Sequence, residues 1–221
     1  LGDVLDLGVP SDATVTAAKL GANSVTAAKL NNDIISGSTE LASEPADTDE
    51  FLVSDAGTLK RIDYSLIKGV GISMAEQWRI TADASGNQNP LTANWELADT
   101  DGAGRIGSNM TQSSGVFTFP STGIWFIDFQ CSCSSAASDY INVIIQTTTN
   151  NSSYNSASEG YNMLPGSGQY TSTSVCFIFD VTNTSNDKVR FCVNPQSSSN
   201  VTMGDTGNQR TGATFIRLGD T

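Results

Sequence analysis

Few residues in this sequence could carry bond-making chemistry. It contains no histidine, which removes Ser-His-Asp and Cys-His nucleophile systems and imidazole metal sites. Carboxylates, thiols and phenols remain. The segment ADTDGAGRIG sets Asp99 and Asp101 one residue apart beside glycines. Such a pair supplies oxygen ligands of the kind calcium takes, but the third acidic position and the closing Glu of an EF-hand loop are missing. The same residues also make an ordinary polar turn. Glycan cleavage would need two carboxylates facing each other across a cleft, about 5–9 Å apart. Glu76, Glu96, Glu159 and several Asp are available, but nothing in the sequence makes any pair converge, and the chain is expected not to be an enzyme. Tyr154, Tyr161 and Tyr170 lie in or beside an Asn/Ser-rich stretch from Thr149 to Gln169, read as a long loop. A tyrosine offers a broad ring and a hydroxyl at low entropic cost, which suits recognition of a sugar or protein surface. Loop anchoring or packing between subunits would use the same rings. The four cysteines, Cys131, Cys133, Cys176 and Cys192, read as small core residues, with two disulfides as the alternative. That usage favours a reducing compartment.

Charge narrows the partners. The chain has 11 Lys+Arg against 23 Asp+Glu, a net charge of −12. This balance repels phosphate backbones and anionic membranes, and no local basic cluster offsets it. Solubility is the plain reading of the acidity, and attraction of a cationic partner the functional one. No run approaches the ~20 apolar residues of a membrane span, so neither nucleic acid nor membrane insertion is expected. No cofactor is called for, calcium at Asp99 and Asp101 apart. The chain opens at Leu1 with no signal-like apolar block, as expected of a piece of a longer protein.

The elements that must position these residues fall into three segments. Residues 1–40 form an extended neck or attachment segment in which VTAAKL occurs twice, at Val15–Leu20 and Val25–Leu30. Ten residues leave the copies about 80° out of phase on an α-helix of ~3.6 residues per turn, so one continuous helix would not share a face. A strand would, and so would two small units of an extended VT followed by one helical turn. Either way Val15, Leu20, Val25 and Leu30 need partners from outside, most economically from further copies of the chain. A flexible linker with a chance duplication is the alternative. Residues 41–71 read as a β-hairpin connector, EFLVS turning at DAG into TLKRIDYSLI. Residues 72–221 form the main domain, with strands near 77–81, 94–97, 103–106, 115–119, 123–133, 140–148, 171–181, 187–193 and 211–218. In GIWFIDFQCSC, Trp125, Ile127, Phe129, Cys131 and Cys133 alternate with polar neighbours. Val175, Phe177, Phe179 and Val181 share one face, as do Val189, Phe191 and Val193. Many short alternating strands between Gly/Asn/Ser turns indicate an all-β sandwich or jelly roll.

The segment SGVFTFPSTGIWFIDF resembles the signature of the complement C-one-q and tumour necrosis factor superfamily. Gly115, Phe117, Phe119, Pro120, Gly123, Trp125, Ile127 and Phe129 carry the likeness, with Trp125 where that family prefers Tyr and Ile127 where it prefers Phe. The final GATFIRLGD is similar to that family's last, central strand. The VTAAKL repeats followed by PADTDEFLVSDAGTLKRIDYSLI resemble phage fibre and other virion-appendage proteins. Together these resemblances imply a homotrimer: a complement-like (TNF-like) jelly-roll head on a short neck whose apolar residues are buried by sister chains. They imply a surface appendage of the virion, joined to other virion structural proteins through the N-terminal segment and adhering to a host surface glycan or protein. A capsid decoration, cement or vertex protein with a purely structural role is the first alternative, and a secreted complement-like lectin the second.

Overall fold

The computed structural model describes residues 15–22, 24–26, 29, 33–69, 71–136 and 138–221. The chain divides into two compact units, residues 1–68 and 69–221.

In the first unit, β1 (Glu50–Asp55) pairs with β2 (Thr58–Asp63) as the antiparallel hairpin read from the sequence. Ala56 and Gly57 both take positive φ, 49° and 85°, the mirror-image turn whose twist suits a two-residue connection. Arg61 pairs with Glu50 at 2.6 Å, and Lys60 with Asp55. The amides of Tyr64 and Ser65 donate to the carbonyls of Asp49 and Asp47, so the chain folds back beside the hairpin. Thr16 is extended and Ala17–Lys19 form one 3-10 turn, closed by Lys19 N–H to the Thr16 carbonyl at 2.9 Å. Lys29 N–H repeats this bond to Thr26 at 2.8 Å. Val15, Leu20 and Val25 are each about half exposed, at 53%, 48% and 54%. Leu30, the fourth neck residue read from the sequence, lies outside the described residues.

The second unit is a jelly-roll sandwich. One sheet holds β3 (Met74–Ile80), β4 (Ala84–Ser85), β5 (Trp95–Leu97), β8 (Gly123–Ser134), β11 (Tyr170–Val181), β13 (Val201–Thr202) and β14 (Gly212–Gly219). The other runs β10 (Asn155–Leu164), β9 (Asp139–Thr148), β12 (Lys188–Pro195), β7 (Val116–Thr118), β6 (Thr111–Ser113). All pairings are antiparallel, with β8 central between β11 and β14. The alternation read in GIWFIDFQCSC holds along β8: Trp125, Ile127, Phe129, Cys131 and Cys133 are at most 1% exposed. Facing rows from β9 and β12, with the neighbouring row of β14, complete the core. Phe117 sits in its middle, with ring centroids of Trp78, Trp95, Phe191 and Phe215 5.0–5.5 Å away, mostly edge-on, an arrangement aromatic quadrupoles favour.

Three sequence expectations need correction. The stretch read as a loop from Thr149 to Gln169 contains the ten-residue strand β10. It is an outer strand beside β9, so most of its side chains stay in water and it lacks an apolar stripe. Gly160 reflects close passage over β11, since a Cβ there would lie 2.8 Å from Val175 Cγ1. Residues 103–106 form no strand, and only Ile106 bridges to Ala75. Cys176 is exposed, because on β11 it points away from the Val175–Phe177–Phe179 face. Cys131, Cys133 and Cys192 are buried as read, and all four thiols are free.

Candidate functional site

Strand direction gives the head two poles. The chain enters at Met74, which pairs with Arg217 near the end of β14. β8 starts at the same end and runs to Ser134, from which the chain passes to β9 at Asp139. β10 returns to Leu164, and residues 165–169 lead into Tyr170 at the start of β11. These two connections therefore lie at the pole opposite the entry point. The segment from Met203 to Arg210, between β13 and β14, joins them there.

The outward face of the β8 sheet is graded between the poles. Toward the entry pole, one row in from Ile124 and Asp180, Ile178, Phe126 and Ile216 stand in register as an apolar row, Ile178 being 58% exposed. Cys176, Asp128 and Thr214 form the next row. Burial pushes the Asp128 carboxyl above its ordinary value. Beyond it come Ser174 beside Gln130, then Ser172 beside Ser132, then Tyr170 beside Ser134. Two adjoining hollows of about 320 and 350 Å³ open on this polar end, lined between them by Gln130, Ser132, Ser172, Ser174, Tyr170 and Arg210, among others.

The predicted tyrosines separate. Tyr161 and Tyr170 lie toward the distal pole on different sheets, 62% and 70% exposed. Tyr161 meets Tyr140 with ring centroids 6.0 Å apart, and with Asn162 and Met163 they line an apolar hollow of about 470 Å³. Tyr154 lies just before β10, toward the entry pole. Its ring stacks under Arg190, with the guanidinium carbon 4.0 Å from the ring centroid. Burial raises its hydroxyl pKa. Tyr140, Met163 and Arg210 were missed by sequence reasoning. Strand register brings Tyr140 opposite Met163, and the β13–β14 connection delivers Arg210; neither pairing has a local sequence signal.

Asp99 and Asp101 are placed differently from each other. Asp99 accepts from Arg79 Nη2 at 2.7 Å, and Arg79 also contacts Glu96 at 3.3 Å and donates to Thr100 Oγ1 at 2.8 Å. The Arg79 side chain is only 3% exposed, so Asp99 neutralises a guanidinium removed from water. A calcium ion at Asp99 would have to displace that cation. Asp101 occupies a positive-φ turn at 55° and lines a separate hollow with Thr100, Asn208 and Gln209. Among the described residues no three Asp, Glu or Cys side chains are grouped to hold a metal ion.

Glu76, 5% exposed, is one of two buried acids of the head among the described residues, with Asp187. One carboxyl oxygen of Glu76 accepts from Trp78 Nε1 at 2.8 Å and from Met110 N at 2.7 Å, and the other has no partner. Burial raises its pKa against these two hydrogen bonds and the charge of Arg105. Its carboxyl is occupied in tying β3 to the residues before β6. Cys131 and Cys133 Sγ lie 3.6 Å apart. Their mutual hydrogen bond, with burial, holds the Cys131 thiol well above its ordinary value. Burial pushes Cys192 to about 11. The Cys131 and Cys192 thiols are therefore poor nucleophiles, whereas the hydrogen bond from Cys131 lowers the Cys133 thiol.

No protein-family model matches the sequence, and no curated protein matches it either. Solved structures do match the head in shape. Eiger TNF from S. frugiperda is 13% identical, over 66% of this chain and 93% of that one, with a TM-score of 0.50. Murine APRIL at pH 5.0 is 12% identical over 66% and 98%, with a TM-score of 0.49. The likeness to the first establishes a tumour necrosis factor-like jelly roll, as the SGVFTFPSTGIWFIDF segment led us to expect, and it bears on the fold alone.

Proposed function

We propose that the chain is a homotrimeric virion appendage of the phage-fibre type, whose N-terminal unit attaches it to the particle and whose head adheres to host surface molecules by binding, without catalysis. The observation that carries this reading is the polarity of the head: the chain enters at one pole, and the exposed rings of Tyr161 and Tyr170 lie toward the other. A protein that must hold a particle with one end and a surface with the other needs this separation. The in-register row of Ile178, Phe126 and Ile216 near the entry pole offers sister heads an apolar contact and leaves the distal pole open. Three weak sites per trimer, and many trimers per particle, would raise avidity without tight single contacts. Glu76, Glu96 and Asp99, three of the carboxylates considered for hydrolysis, are each engaged by protein partners.

A decoration protein with no receptor is the second reading. The exposed Leu52, Leu59 and Leu66 of the first unit favour a docked anchoring arm, which both readings share. Light scattering on a size-exclusion column should return three times the chain mass, and a monomer would sink the trimer. Fluorescently labelled protein should decorate host bacteria, with Tyr161→Ala plus Tyr170→Ala reducing the signal severalfold. Undiminished adhesion would remove the distal pole from the reading, and no adhesion by the parent protein would favour the decoration role.

A further inference from the structure

We propose that the polar groove of the distal pole is a saccharide site selective for a carboxylate-bearing sugar, with Arg210 taking the carboxylate, Gln130, Ser132, Ser172 and Ser174 the ring hydroxyls, and Tyr170 one face of the ring. The proposal rests on the adhesion reading and names the chemistry of its ligand. The two adjoining hollows, about 320 and 350 Å³, share Ser132, Ser172 and Arg210. They fall at the lower end of the range of small-molecule sites, roughly 300–1,000 Å³.

The lining sets the ligand class. Ser132, Ser172 and Ser174 line the hollows, and each hydroxyl can donate to and accept from a sugar hydroxyl. Strand register fixes their spacing, with Ser172 beside Ser132 and Ser174 beside Gln130. Gln130 is oriented by donating Nε2 to the Gln209 carbonyl at 2.5 Å, which leaves its oxygen as an acceptor. Tyr170 provides the exposed ring on which the C–H face of a pyranose can lie, and Met203 adds apolar surface beside it.

Arg210 sets the preference within that class. Its Nη2 is 3.2 Å from Asp205 Oδ2. Asp205 is itself held by the amides of Gly207 and Asn208, at 2.8 and 2.9 Å, through its other oxygen. The guanidinium is therefore pinned through Nη2, which leaves Nη1 to meet a carboxylate. Arg210 is the one charged residue lining either hollow. A polyanion such as nucleic acid would find no second cation and a chain of net charge −12.

The test uses the full chain and two oligosaccharide probes of equal length, an α-1,4-linked galacturonic acid hexamer and a neutral maltohexaose, titrated by calorimetry and by saturation-transfer NMR. The acidic probe should bind about tenfold more tightly than the neutral one, the order expected of a charge-assisted hydrogen bond. Arg210→Ala should erase that preference and Arg210→Lys restore part of it. Ser172→Trp, exposed and outside the core, should block both probes while the melting temperature stays unchanged. Equal binding of the two probes, undiminished acidic binding by Arg210→Ala, or no binding by the parent protein would overturn the proposal. Adhesion to host bacteria, read in parallel with the Tyr161→Ala plus Tyr170→Ala variant, separates the two ideas. If those tyrosines matter for adhesion while Arg210→Ala and Ser172→Trp adhere normally, the pole adheres by other chemistry and only the saccharide assignment falls.

Discussion

The two units of this chain spend their apolar residues in opposite ways. The head encloses them: Phe117, Phe129, Phe191 and Phe215 are all fully buried. In the first unit no described residue is buried. Leu52 and Leu59 are 74% and 71% exposed, on the hairpin face that also carries the Arg61–Glu50 pair. Phe51 and Ile62 pair on the opposite face. A two-stranded hairpin is marginal by itself in water, and this one carries exposed apolar side chains on both of its faces. The head encloses its own core, whereas the described part of the first unit does not. The contrast is one of composition as much as of topology, because the hairpin's hydrogen bonds are as regular as those of the head.

Substitution of Phe117 should produce the largest effect. Phe117→Ala removes the ring at the centre of the aromatic cluster and should cost about 3–5 kcal/mol, read as a lower midpoint in urea with an unchanged slope. A loss under about 1 kcal/mol would mean that the cluster can collapse around the gap, and the head would be less self-sufficient than its burial implies. Leu52→Ser with Leu59→Ser should do the reverse. The head's melting temperature should stay within about a degree, as expected for exposed positions. The assembly should instead dissociate at about tenfold higher protein concentration, for two lost apolar contacts. Analytical ultracentrifugation over a dilution series reads this directly. Unchanged dissociation would show that the hairpin's leucines are covered by something other than sister chains.

Legibility in the sequence followed the same division. Wherever strict alternation marked a half-buried strand, as in Gly123–Ser134 and Tyr170–Val181, the element and its inward face were readable. The hairpin announced itself through its turn residues. The strand Asn155–Leu164 was not readable, because an outer strand needs no apolar stripe and its Gly, Ser and Asn imitate a loop. Cys176 was misplaced by residue type although its neighbours' alternation already pointed it outward. The distal groove could not be seen either. Its members come from β8, β11 and the β13–β14 connection, and only register aligns Ser172 with Ser132. Tyr161 and Tyr170 were identified as candidates by chemistry alone, and topology then separated them from Tyr154.

The smallest effect distinguishes the units by acidity. The first unit's carboxylates, such as Glu50 and Asp55, stand in water, whereas Glu76 lies within the head with one oxygen unpartnered. Burial raises its pKa above the ordinary 4.5. The folded state therefore holds this proton more tightly than the unfolded chain does. The resulting stabilisation is fully present below the unfolded value and is lost as pH rises through the folded one. Glu76→Gln keeps an oxygen for Trp78 Nε1 and Met110 N but cannot titrate. The melting temperature of the parent protein minus that of Glu76→Gln should accordingly increase as pH is lowered from 7 toward 4, with the change centred above 4.5. A Glu50→Gln control in the hairpin should show no such trend in the head's transition. A difference between parent and Glu76→Gln that is flat across this range would mean that water reaches the Glu76 carboxyl in the folded protein, and the head's seal around this buried acid would be the part of the contrast that fails.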